Sequence, residues 1–231
     1  MKYYIASPGF TDAQRKRISE VEETLDKTLA TPATYYSPFT HGGKLSLGDN
    51  LELNKIKTKL FFDENIDQID NCDKMIAIVG EDDKGTNFEI GYFIGRLGID
   101  NLTGITDRLL LIDDTEGRIS IVISNALKIL RDFIISDNTQ KPVTMDLTRK
   151  EPLSYILLGA YWAMGIPVIT YSSGELETNL MTSCSTVDHI SYPIGAKRAI
   201  GVRFDSVWDV LEECSGELFN LHHIKFKTKV E

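Results

Sequence analysis

From its first residues the chain alternates short apolar runs with longer stretches in which apolar positions recur every three or four residues. KYYIAS (2–7) is apolar and β-rich and stops at Pro8-Gly9, the pattern of a strand entering a turn. In the segment that follows, Ile18, Val21, Leu25 and Leu29 keep helical spacing, and Thr11-x-x-Gln14 has the form of a capping box at its start. A second strand is expected at 34–39, a polar, glycine-rich loop after it, and a helix over 60–72. KMIAIVG (74–80) and RLLLID (108–113) are short continuous apolar runs, which suit strands buried on both faces of a parallel sheet. Between them a helix begins near Thr86. Residues 118–135 read as a long helix, although the β-branched residues of the first half blur its start. A strand at 142–147, a helix at 152–165 and a strand at 166–172 continue the alternation, and a last helix is expected around 205–214.

Strands alternating with helices over this length predict an α/β fold, a doubly wound, mostly parallel sheet with helices on both faces, of flavodoxin-like or Rossmann-like type. A single domain over 1–231 is expected, with 1–113 as a core and 114–231 as an elaborated second half. There is also an internal echo. EIGYFIGRLG (89–98) can be laid over LLGAYWAMG (157–165), with Leu157 standing where Glu89 does. Shared small and aromatic residues answer to packing, whereas the carboxylate at 89 does not.

The 231 residues are 42% hydrophobic, enough for a substantial core. A formal charge of −9 and a pI near 5.0 argue against a protein that coats nucleic-acid polymers or anionic membranes, since such affinity needs clustered Lys and Arg. Small molecules are the expected partners. Cys72, Cys184 and Cys214 are odd in number and far apart, so they make neither a disulfide framework nor a metal clip. They suit a reducing cytoplasm. No metal or cofactor is called for, and His222-His223 lacks a third ligand at metal spacing.

The stretch DDKGTNFEIGYFIG (82–95) poses the main chemical question. Thr86-x-x-Glu89 fits a capping box, in which Glu89 sits in the first helical turn and does no more than satisfy backbone N–H groups. Near the same helix, however, lie Asp83, Tyr4 on the first strand, and Asn65 on the helix before KMIAIVG. In open parallel sheets, ligands bind beyond the carboxyl ends of the strands, where these groups can converge.

YYIASPGFTDAQ at the start, NIDQIDNCDKMIAIV leading into DKGTNFEIGY, and more loosely NLMTSC at 179–184 together resemble the nucleoside 2-deoxyribosyltransferases and related deoxynucleotide N-glycosidases. The resemblance covers roughly the first hundred residues. It implies Glu89 as nucleophile, Asp83 as the acid near the leaving base, and Tyr4 as the hydroxyl that orients Glu89. Phe10, Asn65, Gly85, Asn179 and Met181 fall on substrate-contacting positions, with Asn125 as a rival to Asn179 on spacing. Where relatives carry an aspartate, this chain has Asn65, flanked by Asp63 and Asp67; an amide can hydrogen-bond a base but cannot protonate it. The resemblance further implies a deoxynucleoside or deoxynucleotide and a free nucleobase as ligands, and homo-oligomeric assembly.

The chemistry itself explains such a set. Cleaving a C–N glycosidic bond needs a carboxylate at the anomeric carbon and an acid for the leaving base. Attack by a second base makes a transferase, attack by water a hydrolase. Two other readings stand beside it: a glycohydrolase of NAD or another nucleotide, suggested by the TIR-like look of Asp146 and Glu151 in 142–190, and a binding module that senses a nucleotide without cleaving it.

Overall fold

In a computed structural model, residues 1–28, 34–42, 51–80, 83–136, 143–147, 151–166, 168–173, 188–192 and 200–201 are described, some by backbone alone. Strand β1 (Lys2–Ala6) leads into α1 (Asp12–Thr28), β2 (Thr34–Tyr36), α2 (Leu51–Asp70), β3 (Lys74–Ile78), α3 (Lys84–Leu97), α4 (Leu102–Arg108) and β4 (Leu109–Ile112). These strands form a fully parallel sheet in the order β2-β1-β3-β4. Alternation along β1 sorts its two faces: Tyr3 and Ile5 meet Ile18 and Val21 of α1, while Tyr4 and Ala6 turn toward α2 and α3. β3 does the same with Ile76 and Ile78 against Met75 and Ala77.

After a turn of 3₁₀ helix at Thr115–Gly117 come α5 (Arg118–Ile135), β5 (Val143–Asp146), α6 (Pro152–Ala163), β6 (Val168–Ser173), β7 (Asp188–Tyr192) and β8 (Ile200–Gly201). The last four strands make a second sheet, β5-β6-β7-β8, parallel except for the final pair. The fold is α/β as expected, but its strands are shared between two sheets. The two are joined through helices: α3 lies on the first sheet, α6 contacts β5 and β6, and α3 and α6 pack against each other. One core therefore runs from Met75 and Ala77 through Phe88, Ile90, Ile156 and Leu158 to Met145 and Val168.

Expected and observed boundaries agree for α5 and differ elsewhere for local reasons. Helix α2 starts nine residues earlier than the apolar spacing suggests, through a polar stretch. Helix α4 was not expected; Asn101 caps it, its side chain accepting from Gly104 N at 3.0 Å. The Thr11–Gln14 box forms as read, with Gln14 N donating to Thr11 Oγ1 at 3.2 Å and Thr11 N to Gln14 Oε1 at 2.9 Å. The helix expected at 205–214 lies outside the described residues. No described helix is long and apolar enough to cross a membrane.

Candidate active site

The Thr86–Glu89 capping box does not form. Asp83 is the N-cap of α3, in extended conformation, and its Oδ2 accepts from Thr86 N at 2.7 Å and from Thr86 Oγ1 at 2.8 Å. Asp-x-x-Thr therefore does the work that Thr-x-x-Glu was expected to do, and α3 begins two residues early. Glu89, now in the second turn, is released from any capping duty. It is only 5% exposed, and the hydroxyl of Tyr4, itself fully buried, donates to its Oε1 at 2.7 Å. The bond joins β1 to α3 across 85 residues of sequence.

Burial changes the electrostatics expected for this carboxyl. Removal from water pushes Glu89 up to about 8; the Tyr4 hydrogen bond opposes the rise, and the neighbouring Asp83 carboxylate adds to it. First-turn stabilisation by the helix dipole, which would have left Glu89 ionised at neutral pH, fades beyond that turn and is outweighed here. Tyr4 is raised well above the ordinary range of a phenol by burial and then by Glu89, so it remains a donor.

A row of rings flanks this pair. Tyr36, at the carboxyl end of β2 and in register with Tyr4, stacks on it with centroids 5.9 Å apart and an interplanar angle of 23°. His41 also stacks on Tyr36, at 5.8 Å and 28°, and its Nδ1 accepts from Ser37 N at 3.2 Å. The parallel β1–β2 register, not visible in the sequence, aligns Tyr36 with Tyr4, and the turn after β2 places His41 on Tyr36.

The other expected residues divide. Asn65 is buried on α2, and Tyr36 Oη reaches its Oδ1 at 3.4 Å, while Asp63 and Asp67 beside it face solvent. Gly85 is buried in the first turn of α3. Phe10, on the loop beyond β1, is 75% exposed. Asn125 lies on an exposed side of α5 in mid-helix, not in a loop after β4. Asn179 and Met181 lie outside the described residues. Tyr4, Glu89 and Asp83 thus gather beside β1 and β3, where the strand order of this sheet reverses, and Asn65 joins them through Tyr36 of β2.

On the α1 side of the same strand ends is a small cavity of about 160 Å³ lined by Pro8, Gln14, Arg17, Gly80 and Asp113 among others. The Arg17 guanidinium grips Asp113 through two bonds of 2.8 and 2.6 Å, and Asp113 takes a left-handed backbone (φ 63°).

Comparison with known proteins gives one match to a family. Residues 3–102 fit the family described as Nucleoside 2-deoxyribosyltransferase. No curated protein matches the chain. Among solved structures, the 2-deoxyribosyltransferase of the psychrotolerant bacterium Bacillus psychrosaccharolyticus overlaps 82% of this chain and 85% of its own at 16% identity, with a TM-score of 0.30. A D-2-hydroxyisocaproate dehydrogenase overlaps 83% of this chain and 58% of its own at 10% identity and a TM-score of 0.21. Overlaps of that quality carry no weight for either protein. The family match covers the strand, the capped helix and the buried Tyr4–Glu89 pair, so that residues 3–102 are similar to the nucleoside 2-deoxyribosyltransferase family.

Proposed function

We propose that the protein transfers or hydrolyses the 2-deoxyribosyl group of deoxynucleosides, or of their monophosphates, through a glycosyl-enzyme on Glu89. Deoxyribosyl transfer is the activity named by the family description matched over residues 3–102. The observation that carries the assignment to Glu89 is its buried 2.7 Å bond to Tyr4, in a helix already capped by Asp83. A carboxyl costs free energy to bury, and packing alone has no use for it.

In the proposed reaction an oxygen of Glu89 bonds to the anomeric carbon as the C–N bond breaks, its electron pair leaving on the base. Asp83 supplies or shares the proton the base needs. Tyr4 holds one carboxyl oxygen so that the other faces the sugar. A second base, or water, then attacks the anomeric carbon and frees Glu89, with retained configuration after two displacements. Burial keeps the proton on Glu89 at neutral pH, so the nucleophilic form grows as pH rises through about 8. At the exposed end of the ring row, His41 offers an aromatic ring of the kind a nucleobase or sugar can pack against.

The test is to incubate the protein with a deoxynucleoside and a second free base, with the monophosphate in parallel, and to identify products by chromatography. Base exchange or base release, abolished in Glu89→Gln, is expected. Consumption of NAD with no deoxynucleoside turnover would overturn the assignment in favour of a nucleotide glycohydrolase.

A further inference from the structure

The echo in the sequence has a counterpart in space. A constant offset of 68 residues takes the α3 cap Asp83 to the α6 cap Glu151, Thr86 to Ser154, Phe88 to Ile156, Gly91 to Gly159 and Phe93 to Tyr161. Each helix follows a parallel strand and leads to the neighbouring one, β3 to β4 and β5 to β6. Each chain turns away at a glycine of positive φ, Gly98 (84°) and Gly165 (69°).

The contacts are reciprocal too. A Cβ on Gly91 would meet the carbonyl oxygen of Ile156 at 1.9 Å, and one on Gly159 would meet that of Phe88 at 2.1 Å. Ile156 and Phe88 are themselves an offset pair. Two helices that touch through equivalent atoms in both directions are related by a local two-fold axis, the arrangement by which two copies of one unit associate. Close backbone approach of this kind is open only to glycine.

We propose that residues 143–173 are a catalytically silent internal copy of residues 74–112, that this copy occupies within one chain the helix face on which a second copy would dock, and that its helix α6 positions Glu89. Silence follows from what the copy lacks. Leu157 stands at the place of Glu89, and among the described residues no strand pairs with β5 as β1 pairs with β3 to bring Tyr4. Positioning follows from where α6 touches: Gly159 lies against Phe88 O and Tyr92 N, the backbone on either side of Glu89. The positioning role rests on the function proposed above; the docking does not.

The full chain carrying Gly159→Ala tests both parts. Within one chain the added methyl lowers the melting temperature by the same amount at every protein concentration from nanomolar to high micromolar, whereas a penalty that varies with concentration overturns docking in cis. Should the variant not fold, hydrogen exchange of the unaltered chain gives the same reading: protection of α3 and α6 is independent of concentration, and loss of it on dilution overturns the proposal. For positioning, kcat falls by about 10²-fold with KM unchanged, the effect of a misplaced reacting group; an unchanged kcat overturns it. Trapping with a 2-fluoro-arabinonucleoside, whose fluorine slows breakdown of a glycosyl-enzyme, gives one adduct per chain, on Glu89. An adduct on Glu151 overturns silence. A chain with neither adduct nor turnover refutes the function proposed above, and the melting and exchange measurements then decide the docking by themselves.

Discussion

Replacing Glu89 by Gln is expected to stabilise the protein while abolishing its activity, and the gain depends on pH in a way the structure fixes. The amide has nearly the shape of the acid and can still accept the Tyr4 hydroxyl, so the buried bond survives. What disappears is a carboxyl whose proton is held to about 8 in the folded chain, against 4.5 when exposed. Between those limits the folded protein keeps a proton that the unfolded chain has released, so stability of the parent falls as pH rises. At about 1.4 kcal/mol per tenfold change, the loss reaches about 5 kcal/mol above pH 8. That is a large share of an ordinary domain's stability of about 5–15 kcal/mol. It corresponds to about 10–20 °C in melting temperature for a chain of this size. The assay is urea unfolding of both proteins at intervals from pH 4 to 9.5. The two stabilities are expected to coincide below about pH 4.5 and to separate steadily up to about pH 8 in favour of the variant. Parallel pH profiles would refute the argument, because they would mean that water reaches Glu89 freely in the folded chain.

Other expected outcomes follow from the same geometry. Tyr4→Phe removes a hydrogen bond that favours the charged form of Glu89, so the acid limb of kcat/KM moves to higher pH and the rate falls by about 10–10²-fold, as for loss of about 1.5–3 kcal/mol at a charged group. Asp83→Asn keeps a good N-cap, so melting is little changed, but it removes the proton donor for the leaving base together with the repulsion felt by Glu89, so kcat falls and the same limb moves to lower pH. Asp83→Ala additionally costs about 1 kcal/mol in denaturant unfolding through the lost cap. Phe10→Ala leaves stability within about 0.5 kcal/mol, its side chain being exposed, and raises KM if the ring closes over substrate in turnover.

Much of the fold was legible because its determinants are local. The apolar runs at 74–80 and 108–113 needed no context to be read as buried strands, and both lie in the parallel sheet. The division into two sheets was not legible, because hydrogen-bond partners of strands are set by distant packing, here the α3–α6 contact. Within the site, the family pattern picked out Tyr4, Asp83 and Glu89 together. The capping role was misassigned because Thr86-x-x-Glu89 and Asp83-x-x-Thr86 are both sound caps by spacing, and only backbone geometry chooses between them. The protonation of Glu89 was not legible for the same reason: a first-turn carboxylate is stabilised by the helix terminus, whereas one turn later it is a buried acid. The stacking of Tyr36 on Tyr4 was not legible because it depends on the register of parallel strands, which single-sequence periodicity does not fix.

The row of three rings links the interior to the surface. His41 is exposed and belongs to the turn that follows β2, yet its ring lies on Tyr36, and Tyr36 lies on the residue that holds Glu89. Aromatic rings shift the resonances of whatever lies over their faces. The His41 ring protons therefore lie in the field of the Tyr36 ring, and their resonance reports the tilt of one ring on the other.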